Sequence, residues 1–153
     1  MEIREAKIEE VEEILKLNQQ LFDYEFENFD KTLDCNWSPK NKGYFEKAIK
    51  GKNSITLVAV LDGKIIGYLV GGIHKAGNYR KIEKLVEVEN TFILEEQRGK
   101  GVGEKLFKMF LEWAKKKKVK RMKVVASAKN KRAINFYKKC GFLDYDSILE
   151  RNI

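Results

Sequence analysis

The stretch Gln97-Arg98-Gly99-Lys100-Gly101-Val102-Gly103 decides how this 153-residue chain is read. Three glycines at alternate positions leave almost no side-chain bulk, so a ligand can approach the backbone closely. The residues that follow, with Val102, Leu106, Met109, Phe110 and Trp113 on one stripe, predict an amphipathic helix from Gly101 to Lys118. Amides at a helix start point outward and carry partial positive charge, so this turn is a cradle for an anion such as pyrophosphate. It is not a dinucleotide GxGxxG, because Glu104 and Leu106 stand where a third glycine would fall, and it is not GxxxxGK[ST].

Upstream of the turn, Ile82 to Leu94 reads as a long strand whose odd positions from Leu85 to Ile93 share a face, with Glu87 and Glu89 on it. Before that strand, Asp62-Gly63 joins Ile55–Val60 to Lys64–Ile73 as a hairpin, because Asp-Gly supplies positive φ angles. A strand over residues 1 to 6 opens the chain. Ile8, Val11, Ile14, Leu15, Leu17, Leu21 and Phe22 then recur at helical spacing, and a second short helix over Tyr44 to Lys50 stops at Gly51. The polar, aromatic stretch between them, Asp23 to Lys42, holds the only proline, Pro39, read as a turn.

Downstream, Arg121 to Ser127 reads as a strand. Asn130 opens a helix bearing Ile134, Phe136 and Tyr137 that Gly141 ends, and Phe142 to Ile153 reads as a final strand region. The expected fold is α/β: a mixed, mostly antiparallel sheet with helices on both faces, as one domain over 1–153.

Composition narrows the function classes. No apolar run approaches the ~20 residues of a bilayer span, and the mean hydropathy is −0.49. Cys35 and Cys140, with a single histidine, are too few ligands for a metal site and read as free thiols of a cytoplasmic protein. The formal charge of +8 is unevenly spread. Residues 1–34 hold eleven acids against four bases, and residues 98–139 hold sixteen Lys and Arg against Glu104 and Glu112 alone. The basic tract Lys115 to Arg121 invites a non-catalytic nucleic-acid module. Its lack of interleaved aromatics disfavours base stacking, and cations at a helix end also oppose the dipole.

The turn does not stand alone. Arg98 to Gly103 resembles the R/Q-x-x-G-x-G/A motif of the GNAT superfamily of acyl-CoA-dependent N-acyltransferases, and Asn130-Lys-Arg-Ala-Ile-Asn-Phe-Tyr137-Lys-Lys-Cys-Gly-Phe142 resembles its N-x-x-A-x-x-F-Y-x-x-x-G-F helix. The resemblance extends over nearly the whole chain and implies acetyl-CoA as cosubstrate, with no metal. It implies that Phe92, Ile93 and Leu94 pair with pantetheine beside a bulge, and that Arg98, Gly99, Lys100, Gly101, Val102, Gly103 and Glu104 receive the pyrophosphate. Asn130 and Tyr137 would flank the pantetheine arm near the thiol, and Lys100, Lys131 and Arg132 are candidates for CoA phosphates.

The implied reaction is direct attack of an amine on the acetyl thioester through a tetrahedral oxyanion. A primary amine has a pKa near 10.4, so a carboxylate must accept its proton, and Glu89 and Glu87 are the candidates. Glu89-Asn-Thr-Phe-Ile-Leu94 is similar to a stretch of the spermidine/spermine acetyltransferases. Tyr137 would protonate the departing thiolate, and a strand amide near Ile93 would polarise the carbonyl. His74 reads as an isolated surface residue. Cys140, near the expected thiol channel, could form a mixed disulfide with CoA.

An acidic rim from Asp23, Glu25, Glu27, Asp30 and Asp34 would draw a cationic, polyamine-like acceptor by steering. A protein amino terminus or lysine is the alternative, and the oligomeric state, a homodimer included, is left open.

Overall fold

In the computed structural model, residues 1–153 form a five-stranded sheet in the order β1-β2-β3-β4-β5. The strands are β1 (Glu2–Glu5), β2 (Ser54–Leu61), β3 (Lys64–Lys75), β4 (Lys84–Ile93) and β5 (Met122–Val124). All neighbours are antiparallel except β4 and β5, which run parallel. The helices are α1 (Val11–Asn28), α2 (Trp37–Lys40), α3 (Lys42–Lys50), α4 (Val102–Lys116) and α5 (Lys131–Lys139).

The sheet is covered on both faces, as the sequence predicts. On one face, Val11, Ile14 and Leu17 of α1 and Phe45 of α3 pack on Val58, Tyr68, Val70 and Phe92. On the other, Leu106, Phe107 and Phe110 of α4 pack on Leu57, Leu69, Val86 and Val88, with Phe136 and Tyr137 of α5 against the edge of that core. The Asp62-Gly63 turn joins β2 to β3 with φ of 50° and 77°, the doubly positive geometry that its residue types favour.

Four expectations change. First, α1 continues past Phe22 to Asn28, carrying Tyr24 and Glu25 beyond the sheet's edge. Second, Pro39 lies in the one-turn helix α2, where a missing N–H costs nothing because the first turn has no internal acceptor. The buried Ser38 anchors that turn, its hydroxyl donating to Asn18 Oδ1 at 2.5 Å. Third, the alternation along β4 breaks. Val70 pairs with Asn90 and Gly71 with Val88, so Glu89 is an extra residue, a β-bulge. Beyond it Phe92 joins the α1 face and Ile93 the α4 face, so Ile93 no longer shares a face with Glu87 and Glu89.

Fourth, β5 pairs only over Met122–Val124, against Val86–Val88, and ends where the bulge begins. The bulge bends β4 away, so residues 125–127 have no partner across it. Residues 142–153 form no strand. Leu143, Ile148 and Leu149 are exposed, and the segment pairs with neither edge strand of the sheet.

Candidate active site

The divergence of β4 from β5 opens a groove of about 990 Å³. Its walls are β4 from Val88 to Ile93, the end of β5 and the chain after it, the first turn of α4, the length of α5, and the C-terminal part of α1. Each element arrives for a local reason. The bulge at Glu89 parts the strands, and Gly99 and Gly101, with φ of 74° and 77°, turn the chain from β4 into α4. Non-glycine residues rarely adopt such angles.

No side chain caps α4, so the amides of its first turn, at Val102, Gly103 and Glu104, open toward the groove. Gly103 is tightly placed: a Cβ there would lie 3.1 Å from Ile93 Cδ1 and 3.2 Å from Phe136 Cε2.

Arg98 organises the mouth. Its Nε donates to the Ile93 carbonyl at 2.9 Å, and its guanidinium lies 5.3 Å from the ring centre of Phe92 and 5.5 Å from that of Tyr24. The Arg132 guanidinium lies 5.3 Å from the Tyr24 ring as well. Burial, and then the nearby Arg132 charge, pull Arg98 below its ordinary pKa. Two arginines held this close beside an uncapped helix start form a site that an anion relieves. Such a cradle fits the pyrophosphate of CoA.

Of the residues expected to hold that cosubstrate, Phe92, Ile93, Arg98, Gly99, Gly101, Val102, Gly103, Glu104, Asn130 and Tyr137 all line the groove. Arg132 does too, whereas Leu94, Lys100 and Lys131 do not. Leu94 donates its N–H to the Ile66 carbonyl at 3.0 Å, and the exposed Lys100 turns back to Gln97. Asn130 has a structural task too, since its Oδ1 accepts the Ala133 N–H at 3.0 Å and caps α5. Cys140 is not part of the groove wall, and burial pushes its thiol up, away from the thiolate that disulfide exchange needs.

Of the two candidate bases, Glu89 lines the groove and Glu87 does not; Glu87 is held by Lys123 of β5 at 3.0 Å. The Tyr44 hydroxyl donates to Glu89 Oε2, and His74 Nε2 lies 2.6 Å from Oε1. His74 is exposed as expected but not isolated. Gly72 makes room for the carboxylate, since a Cβ there would lie 3.2 Å from Oε1.

Tyr137 lies against the edge of the α4 core, and burial pushes its phenol above the ordinary value. Thr91 Oγ1 is itself buried with no partner at hydrogen-bond distance.

Sequence reasoning missed Thr91 and Tyr44, and gave Glu25 only a place on the rim. A bulge position in β4 would have been needed to find Thr91, and a helix reaching Asn28 to find Glu25. Most of the expected acidic rim is engaged elsewhere: Asp23 with Gln19, Glu27 with Lys31, Asp30 with Thr32. Glu25 alone of that group lines the groove.

Burial, and then Asp30, raise the Glu25 carboxyl above its ordinary pKa. A raised carboxylate pKa penalises the charged folded state above that pKa and costs nothing once both states are protonated. Glu25→Gln is therefore expected to raise Tm at neutral pH. The gain should vanish as the pH falls from the raised value through the ordinary carboxylate range. Thermal melts across that window check it, and a gain that persists in acid would contradict it.

A parted sheet, a glycine-rich helix start with two arginines beside it, and a carboxylate and a phenol meet along one groove. Residues 12–142 match the model of the acetyltransferase (GNAT) family, and the chain belongs to that family. Acetyl-CoA is the cosubstrate of this class of N-acetyltransferases. An uncharacterized N-acetyltransferase of Methanocaldococcus jannaschii is 30% identical over 99 residues, 65% of this chain and 43% of that protein, so the match spans less than half of its length. An N-alpha-acetyltransferase of Sulfurisphaera tokodaii is 26% identical over 147 residues, covering 92% of this chain and 78% of the relative. The fold is that of a predicted acetyltransferase of Clostridium acetobutylicum solved with acetyl-CoA. Its TM-score is 0.78 at 21% identity, covering 99% of this chain and 95% of that one. No helix is long and apolar enough to cross a membrane, and no cluster of metal-binding side chains is present.

Proposed function

We propose that this protein moves an acetyl group from acetyl-CoA to a cationic primary amine, with Glu89 as general base and Tyr137 as general acid. The observation that carries the reading is that both side chains line one groove whose other end is the arginine and glycine cradle. Acetyl-CoA, when bound, supplies the activated acetyl thioester. The first-turn amides of α4, with Arg98 and Arg132, would hold its pyrophosphate.

Glu89, fixed by the Tyr44 hydroxyl, has lone pairs left to accept the proton of an incoming ammonium group. Tyr137, kept in its phenol form by burial, has a proton to give to the leaving sulfur. Glu25 and Glu89 put carboxylates along the path between α1 and β4, which favours a positively charged acceptor.

The polyamine-like acceptor rests on that charge. A screen of amines against acetyl-CoA by thiol release tests it, with di- and polyamines expected to lead and added salt expected to lower their kcat/KM. Preference for an acidic acceptor such as glutamate, or indifference to salt, would overturn it. The name of the Sulfurisphaera relative supports a second reading, a protein amino terminus as acceptor. Peptides with a free α-amine in the same screen separate the two.

A further inference from the structure

We infer that His74 is the proton outlet of the site, relaying to solvent the proton that Glu89 takes from the amine. This rests on the reading of Glu89 as general base. A carboxylate is a weak acceptor for the proton of an ammonium group, the two differing by about six pKa units in reference compounds. An imidazole is ordinarily about two units more basic than a carboxylate, which improves the equilibrium roughly a hundredfold if the proton moves on to it.

His74 is placed for that step. It sits near the end of β3, its Nε2 is 2.6 Å from Glu89 Oε1, and its side chain is 47% exposed against 21% for Glu89. Glu89 is the bulged residue of β4 and lines the groove, and its carboxylate reaches the ring near the end of the central strand β3. The Tyr44 hydroxyl occupies the other carboxylate oxygen, which leaves Oε1 as the exit. Glu87, two residues before Glu89 on β4, is bound to Lys123 at 3.0 Å and does not bridge to the ring.

The step balances. The N–H bond of the ammonium breaks as an O–H bond forms on Glu89, and the Nδ1–H tautomer of His74, whose Nε2 lone pair then faces that O–H, takes the proton. The ring releases one proton to water from Nδ1, and exchange with solvent restores its starting tautomer. His74 touches neither substrate nor cosubstrate, so it is a positioning and relay residue acting through Glu89.

His74→Gln keeps a polar side chain at an exposed position, so the fold is expected to survive. Its kcat/KM should fall about 10- to 100-fold at low buffer concentration, and added imidazole should restore it in a concentration-dependent way. Glu89→Gln should be slow with or without imidazole, because the first acceptor is gone. As the only histidine of the chain, His74 also gives a single set of ring signals in nitrogen NMR. Glu89→Gln should move both ring-nitrogen resonances, in opposite senses, because the carboxylate that selects the tautomer is gone.

A His74→Gln enzyme with wild-type kcat/KM at low buffer overturns the relay, as does a defect that imidazole does not restore. A slow Glu89→Gln in the same series would leave the base reading standing. A Glu89→Gln enzyme of wild-type rate overturns the base reading itself.

Discussion

Tyr137→Phe is expected to lower kcat on the order of a hundredfold or more while leaving acetyl-CoA affinity and Tm close to those of the wild type. The substitution removes only the phenolic oxygen. The ring keeps its edge-on contacts with Phe136 and Phe142, whose centroids lie 5.1 Å and 5.5 Å away, so packing at the end of α5 is conserved. What is lost is a proton positioned for the leaving sulfur, and a hundredfold loss corresponds to about 2.7 kcal/mol of barrier. The sign with pH follows from burial. The phenol must be protonated to act, and its pKa is raised, so the alkaline limb it contributes lies above the ordinary tyrosine value and disappears in the Phe variant. Steady-state thiol release across pH, with calorimetry for acetyl-CoA, checks both parts. Unchanged turnover would reduce Tyr137 to a packing residue.

The second large effect is on the fold. Gly71→Ala should destabilise the protein by about 3 kcal/mol, the upper end for overpacking, and lower Tm by roughly 6–12 °C for a chain of this size. A Cβ on Gly71 would lie 2.6 Å from Phe110 Cε2 and collide with the Glu87 carbonyl. One neighbour is a fully buried ring of α4 and the other is backbone, so neither can swing aside. Gly71 is also the β3 residue at the register shift facing Glu89. The strand must move to fit a methyl group, and the bulge and its carboxylate move with it. Melting curves should therefore shift together with a loss of kcat/KM. A methyl group accepted without cost would mean that β3 and α4 are more loosely packed than they stand here.

Gly71 also explains what the sequence could and could not reveal. The cradle was legible because its signal is local: three glycines, a helix stripe and a polar turn fall within a few residues. The Asp62-Gly63 hairpin was legible for the same reason. The position of the bulge was not: the family resemblance implies one beside Phe92 to Leu94, but Val86-Glu87-Val88-Glu89-Asn90-Thr91 reads as an unbroken alternation. Its counterpart lies across the sheet, at the Val70–Gly71 step of β3, where the register shifts. That one hidden feature carried Thr91 and Ile93 to the other face and left β5 with three paired residues instead of seven. The partnership of His74 with Glu89 was hidden likewise, since fifteen residues and a loop separate them in sequence. The strand expected over 142–153 failed in the opposite way: its pattern suits a strand, yet the segment pairs with neither edge of the sheet. Glu25 was placed on the right side of the molecule for an incomplete reason, because the helix carrying it outran the apolar periodicity that marked its start.

The clasp made by Arg98 reaches further than local charge. By holding the Ile93 carbonyl and lying over Phe92 and Tyr24, this one side chain fastens the glycine turn to β4 and to the end of α1. A turn with three glycines has unusual backbone freedom, and freezing it at the moment of binding would subtract entropy from affinity. Fastened in advance, the turn has already lost that freedom during folding, so the ligand meets a preorganised cradle. The flexibility that glycine brings here serves geometry alone.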